Sequence, residues 1–195
     1  HLITMNKIRT HDKLYLKSNR YNKPKECFKL LKNILKKRLK KNKTYDLLDI
    51  GCANGELLYY LNKHFKNINL HGIDVRADLI NLGKKKLPSK VKLYRLDYNK
   101  KQNIKKKYDV IICSGVVSIF DDLDIIMKNI KNSFTKNYLL YFFGSFNEYD
   151  FDTRVAYKDL NSKIKDFQSG WNLWSIKSIQ SYFKKKIIKH PFEIK

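Results

Sequence analysis

The stretch Tyr45-Asp46-Leu47-Leu48-Asp49-Ile50-Gly51-Cys52-Ala53-Asn54-Gly55-Glu56 decides the fold of this chain. An apolar run stops at an acid, two glycines follow four positions apart, and a helix-compatible stretch begins at Glu56-Leu57-Leu58. The order is strand, tight loop, helix. Glycine lets a backbone turn sharply and approach a ligand with no Cβ in the way. The free N–H groups of the helix N-terminus then suit a polar or anionic ligand end. Spacing argues against two nucleotide families. A phosphate-cradling P-loop closes on Gly-Lys-Ser/Thr, whereas Gly55 is followed by Glu56. The dinucleotide fingerprint G-x-G-x-x-G fails at Ala53, and Glu56 at the helix start repels a pyrophosphate.

The next stretches repeat the pattern. Asn69 to Asp74 reads as a second strand ending in an acid, 23 positions after Gly51. That is close to the roughly 20-residue spacing of an acid that grips ribose hydroxyls, and a carboxylate accepts both bonds of a diol. Val91 to Asp97 is a third strand ending in an acid, and Tyr108 to Gly115 a fourth that runs into small residues. One such acid would be explained as a helix cap. Three in register with a glycine loop point to a ligand cleft.

Asp49-Ile50-Gly51-Cys52-Ala53-Asn54-Gly55 resembles the first motif of class I S-adenosylmethionine-dependent methyltransferases, and the resemblance covers Tyr45 to about Phe143. It implies an α/β fold, a doubly wound and mostly parallel Rossmann-like sheet, with S-adenosylmethionine as cofactor. That cofactor carries no phosphate but has an amino-acid end and a sulfonium cation, so an acid such as Asp49 helps. By this resemblance the cofactor contacts are Asp49, Gly51, Cys52, Ala53 and Gly55 in the loop, and Asp74 and Val75 at the ribose. Asp97 or Tyr98 faces the adenine amino group, and Cys113, Ser114 and Gly115 follow the fourth strand. A full sheet of this family has a seventh, antiparallel strand; the sequence ends before it, so the last strand is expected to be missing.

The chain divides into an N-terminal segment and helix (1–44), a cofactor-binding core (45–143), a lid or substrate-binding insertion (144–174) and a closing helix and strand (175–195). Cys27, Leu30, Leu31, Ile34, Leu35 and Leu39 recur at helical spacing, which predicts a helix over 25–40 behind Pro24. Further helices are expected at 56–65, 77–87, 122–134 and 175–186, a fifth strand at 138–143 and a sixth at Phe192-Glu193-Ile194. The insertion is rich in aromatics, and a long connection at the functional edge of a sheet often shapes a binding site. A small helical subdomain with its own aromatic core is the competing reading. Tyr149, Phe151, Trp171 and Trp174, with Tyr21 from the N-terminal side, are the candidate acceptor-binding residues. Glu148, Asp150 or Asp152 would serve as base for a hydroxyl acceptor, and no catalytic residue is singled out.

Composition narrows the partners. The net charge is +24, from 42 basic and 18 acidic residues, but only Arg9, Arg20, Arg38, Arg76, Arg95 and Arg154 are arginine. Phosphate and base recognition favours the planar arginine fork, so a solvated lysine surface outweighs a nucleic-acid footprint. No apolar run is long enough to span a membrane, and no signal peptide is visible. Cys27, Cys52 and Cys113 form neither a disulfide framework nor a metal pattern, which suits a cytoplasmic setting. No metal site is expected; Asp121 and Asp122 read as helix-opening acids. The Asn/Asp-Pro-Pro-Tyr/Phe motif of amino methylation is absent after the fourth strand, where Cys113-Ser114-Gly115-Val116 stands. What remains resembles the small-molecule branch of the family, which implies a small-molecule acceptor methylated on oxygen. Gly170 to Ile179 resembles methyltransferases of surface-polysaccharide pathways, which implies a sugar or related precursor as acceptor. An RNA or protein methyltransferase using the basic surface, and a non-catalytic cofactor-binding protein, are the alternatives.

Overall fold

The structure, a computed structural model, describes residues 12–17, 20–100, 105–158, 160, 168–169 and 171–184. Helices α1 (Asp12–Lys17) and α2 (Glu26–Arg38) lead into strand β1 (Tyr45–Ile50). Strand and helix then alternate through α3 (Glu56–His64), β2 (Ile68–Asp74), α4 (Ala77–Lys86), β3 (Lys92–Arg95) and β4 (Tyr108–Ser114). A 3-10 turn at Val117–Ile119 precedes α5 (Asp124–Asn132) and β5 (Phe134–Phe143). The five strands form one sheet in the order β3-β2-β1-β4-β5, with every neighbouring pair parallel. The chain winds outward from β1 in one direction and then returns to build β4 and β5 on the other side. Loops that leave β1 and β4 therefore diverge, and a crevice opens beyond the strand C-termini at that reversal.

Strand side chains alternate between faces, and both faces are covered, so the inner strands read as nearly continuous apolar runs. Leu47, Val110 and Ile112 meet α2, α3 and α4 through Leu31, Leu35, Leu58, Leu61 and Ile80. Leu48, Ile50, Ile111 and Cys113 face the other layer, built from Ile126, Met127 and Ile130 of α5 and, from the C-terminal helix α6 (Ile176–Lys184), Ile179 and Phe183. Each such side chain contributes about 1.5–3 kcal/mol on burial.

Sequence periodicity places α2 to α5 to within two residues at each end and the start of the C-terminal helix α6 to within one, the usual scatter of helix termini. Helix α1 lies in the N-terminal segment, where no helix is expected, and the expected end of the last helix at 186 lies outside the described residues. Strand β5 begins four residues before the expected Tyr138. The register with β4 shifts between Tyr108 and Val110, so that Phe134 opposes Tyr108 and Leu139 opposes Val110. The extra residues are taken up in an irregularity where the Phe134 and Tyr138 rings stack.

The aromatic connection carries secondary structure of its own. Its described residues form two short strand pairs, β6 (Phe146–Asn147) parallel to β9 (Trp174–Ser175) and β7 (Ala156–Tyr157) antiparallel to β8 (Gln168–Ser169). No helix lies between Gly144 and Ser175 among the described residues. Asn172, 1% exposed, ties the segment to the core. Its side-chain nitrogen donates to the Phe120 carbonyl at 2.7 Å and to Asp121 at 2.9 Å, and its oxygen accepts the Val155 N–H at 2.9 Å. The expected strand at Phe192-Glu193-Ile194 and the aromatic Phe167 lie outside the described residues.

Candidate functional site

A cleft opens where β1 and β4 separate, enclosing about 380 Å³ of space open to solvent. Its floor is Asp49, Gly51, Cys52 and Ala53 from the turn after β1, with Ser114 from the end of β4. Asn54, Glu56 and Leu57 extend one wall into α3. The N-terminal segment supplies the facing wall through Tyr15, Arg20, Lys25 and Phe28.

The turn has one shape because its neighbours dictate it. Gly51 sits at φ +71, and a Cβ built on it would lie 2.2 Å from Val116 Cγ2. The Gly51 and Cys52 amides both donate to the Ile73 carbonyl, at 2.8 and 3.0 Å, and the Gly55 amide donates to the Cys52 carbonyl at 2.8 Å. The Ala53 amide donates to Asp74 Oδ2 at 2.9 Å. Four amides of the turn are thus satisfied within the protein.

Charge is distributed unevenly in this cleft. Asp49 is 3% exposed, and its carboxyl accepts no hydrogen bond from any described residue. Burial first, and then the neighbouring Asp74, push its pKa up to about 8, opposed by Lys25. The Cys52 thiol is driven well above its usual range by burial and by Asp49 and Asp74, which makes it an inert packing group. Lys25 is held below the ordinary lysine range by burial and by Arg20. Two polar atoms at the cleft are buried without a hydrogen-bond partner, Asn54 Oδ1 and Arg20 Nη1. Buried polar atoms of this kind are uncommon in a finished core and are met at ligand sites.

Of the residues expected to contact a cofactor, five line the cleft: Asp49, Gly51, Cys52, Ala53 and Ser114. Gly55, at φ +80, starts α3 and shapes the turn. Asp74 stands at the end of β2, and its second oxygen accepts the Arg76 amide at 2.9 Å. The Val75 carbonyl accepts from Arg95 Nε at 3.2 Å. Asp97 follows β3, accepts the Asn99 amide at 3.0 Å and has Lys100 at 3.9 Å. Two side chains turn away from the cleft. Tyr98 is 5% exposed and packs toward α5, where its hydroxyl meets Ser133. Cys113 is fully buried in the layer that faces α5 and α6. For Cys113 the period-two alternation of β4 sends the side chain to the opposite face from Ser114, which lines the cleft. Tyr98 lies in the turn after β3, which aims its ring into the core. Gly115 borders open space, with nothing within 4 Å of a Cβ built there.

The expected acceptor residues separate into two kinds. Tyr149 and Phe151 are 67% and 60% exposed and stack face to face at 5.4 Å. Trp171 is 58% exposed and held at φ +66, a strained backbone for a bulky residue. Trp174 is core instead: it is 4% exposed, its indole N–H donates to the Val117 carbonyl at 2.9 Å, and Arg154 lies 3.8 Å from its ring. Tyr21 closes on the glycine turn, donating its hydroxyl to the Asn54 carbonyl at 2.5 Å. Among the candidate bases, Asp152 caps α6 by accepting from the Ser175 amide and the Ser178 hydroxyl, and Asp150 pairs with Lys177 at 2.9 Å. Glu148 is exposed. The residues that sequence reasoning missed are Arg20, Lys25, Phe28 and Tyr15. They precede the strand–helix alternation, and only tertiary packing brings them to the cleft. Among the described residues no cluster of three His, Cys, Asp or Glu side chains is placed to hold a metal.

This arrangement fits S-adenosylmethionine. The uncompensated acid suits the cationic part of its amino-acid end, the glycine turn admits a close backbone approach, and no phosphate-binding lysine follows the turn. Residues 48–137 match the family model described as "Methyltransferase domain". Curated relatives include the malonyl-[acyl-carrier protein] O-methyltransferase of Bacillus anthracis, 21% identical over 89% of this chain and 62% of the relative. The enzyme of the same name from Priestia megaterium is 24% identical over 78% of this chain and 58% of the relative. The chain thus spans about three fifths of the length of these relatives. Among solved structures, an S-adenosylmethionine-dependent methyltransferase from Clostridium acetobutylicum superposes with a TM-score of 0.57 at 20% identity, covering 89% of this chain and 83% of that one. The plantazolicin methyltransferase BpumL, bound to S-adenosylhomocysteine and a substrate analogue, superposes with a TM-score of 0.51 at 22% identity, covering 63% of this chain and 49% of that one. A parallel sheet of this order by itself would leave several nucleotide-binding families open; the match of residues 48–137 is to the methyltransferase domain, and the sheet has the fold of the class I S-adenosylmethionine-dependent methyltransferases.

Proposed function

We propose that this methyltransferase acts on an oxygen of a small-molecule acceptor, with a sugar or a related polysaccharide precursor as the first class to test. The cleft at the β1–β4 reversal carries the reading. It places the buried Asp49 and the turn Gly51–Gly55 at one end and Ser114, beside open space at Gly115, at the other. When bound, the cofactor supplies an activated methyl group for in-line displacement. The protein's task is then to orient both partners, exclude water and, for a hydroxyl, accept a proton. Asp49 and the turn orient the amino-acid end. Asp74 and Asp97, at the ends of the next two strands, are assigned to the ribose and adenine side. Exposed Tyr149, Phe151 and Trp171 present aromatic faces of the kind that stack on sugars, and we assign segment 144–174 to acceptor binding. The two malonyl-[acyl-carrier protein] O-methyltransferases named above methylate oxygen, which supports the choice of atom. Three free cysteines suit a reducing, cytoplasmic setting, and no described helix is long and apolar enough to cross a membrane.

The test is transfer of a labelled methyl group from S-adenosylmethionine to fractionated acceptors: nucleotide sugars, hydroxylated metabolites, acyl thioesters and total RNA. Base-labile or ether-linked label in a small-molecule fraction supports the proposal. Label confined to RNA or protein would move the chain to a macromolecular acceptor.

A further inference from the structure

The donors of the glycine turn at positions 51, 52, 53 and 55 are already used inside the protein. Those four amides are closed to the carboxylate of an amino-acid end in this cleft, which gives cationic side chains on the cleft wall a part in meeting it. Two cations stand on the wall opposite the turn. Arg20 and Lys25 both line the cleft, and both lie over the Tyr15 ring, at 5.5 and 5.6 Å from its centroid. Arg20 Nη1 is buried without a hydrogen-bond partner. Lys25 has no carboxylate within ion-pair distance among the described residues. Bringing two half-buried cations together is unfavourable, and Lys25 registers it by losing proton affinity to burial and to Arg20. An anion between them would reverse that balance.

The segment that carries them is fastened to the turn. Tyr21 donates to the Asn54 carbonyl at 2.5 Å, Asn54 Nδ2 donates to the Tyr15 carbonyl at 3.0 Å, and the Arg20 amide donates to Glu56 Oε1 at 3.0 Å. These bonds fix the cations relative to Asp49 rather than leaving them on a loose arm. We propose that Arg20 and Lys25 form a clamp for the carboxylate of the cofactor's amino-acid end. Asp49, on the floor of the same cleft, takes the ammonium of that end. Opposite charges on facing walls then admit the amino-acid end in one orientation. This inference rests on the cofactor assignment made above.

Calorimetric titration of two ligands tests it. S-adenosylhomocysteine carries the amino-acid end; 5′-methylthioadenosine keeps the adenosine and the sulfur but lacks that end. Arg20→Gln and Lys25→Gln are each expected to weaken S-adenosylhomocysteine at least tenfold, the loss of a charge-assisted bond, and to change 5′-methylthioadenosine by less than twofold. If Arg20→Gln lowers the melting temperature of the ligand-free protein, Lys25→Gln, at the edge of α2, carries the comparison. Unchanged affinity for S-adenosylhomocysteine, or an equal loss for both ligands, overturns the clamp while leaving the cofactor assignment standing. Unchanged cofactor affinity with a raised acceptor KM would give the two cations to the acceptor and likewise overturn it. A wild-type protein that binds neither adenosyl compound refutes the cofactor assignment itself.

Discussion

Cofactor binding should release a proton, and Asp49 should be its source. In the ligand-free protein burial, and then the neighbouring Asp74, push the Asp49 carboxyl up to about 8 against the pull of Lys25. An ordinary carboxyl near 4 would be ionised throughout the neutral range. With a pKa of about 8, roughly 1% of molecules carry the carboxylate at pH 6 and about a quarter at pH 7.5. The α-amino group of the cofactor keeps most of its proton over this window. If the ion pair forms only with the carboxylate, affinity for S-adenosylhomocysteine should rise roughly 25-fold between pH 6 and pH 7.5, about 1.9 kcal/mol. At pH 7 nearly one proton, about 0.9, should leave per ligand bound. Calorimetry in two buffers of different ionisation enthalpy measures that proton directly. Asp49→Asn assigns the group: its affinity should lie near the wild-type value at pH 6 and stay flat as pH rises. A wild-type affinity constant within twofold across the window, with no proton released, refutes the reasoning.

The same group should shape stability. Its folded pKa is above its unfolded one, so its contribution is full below about pH 4 and is lost as pH climbs through about 8. The melting temperature of the ligand-free protein should therefore fall between pH 5 and pH 8, and fall less in Asp49→Asn. Gly51→Ala forces a Cβ to 2.2 Å from Val116 at a positive φ; it should cost several kcal/mol and abolish cofactor binding, measured by denaturant unfolding and by titration. Asn172→Ala removes three side-chain hydrogen bonds in a buried site, for a loss of about 2–4 kcal/mol of unfolding free energy with cofactor affinity kept. Alanine at Tyr149, Phe151 and Trp171 should leave the melting temperature within a degree or two, since all three are exposed, while raising the acceptor KM; the same change at Trp174 should instead destabilise by about 3–5 kcal/mol.

The central architecture was legible because parallel strands buried on both faces must be apolar throughout and must stop where the chain turns. Leu47-Leu48 and Val110-Ile111-Ile112 carry that signal without tertiary information. The acids at 49, 74 and 97 marked the functional edge for the same reason: a charge cannot continue into the layer. Two things escaped. Arg20 and Lys25 reach the cleft only because α2 packs on α3, and nothing in their local sequence separates them from the other lysines of a chain with net charge +24. Side-chain direction at strand ends was the other. Cys113 sits one residue from Ser114 at the edge of the cleft, and a shift of one position turns a cofactor neighbour into a core residue. Tyr98 is turned into the core by the bend after β3. Trp174 shows the same limit in the aromatic connection, where exposed and buried rings alternate within a few residues.

The place of β1 in the sheet has a consequence for how the chain is made. It is the first of the described strands to be synthesised, yet its partners are β2 on one edge and β4 on the other. Its Leu47, Leu48 and Ile50 therefore wait, with one row of backbone groups unpaired until residue 74 has emerged and the second until residue 114. At a synthesis rate of about 5–20 residues per second, that second wait lasts roughly 3–13 seconds. During it, α2, α3 and α4 can shield the strand, and they cover a single face. The nascent chain is thus most exposed to wrong pairing between the appearance of β2 and that of β4, and the lysines that surround β1 in sequence would keep two such chains apart by repulsion over that interval.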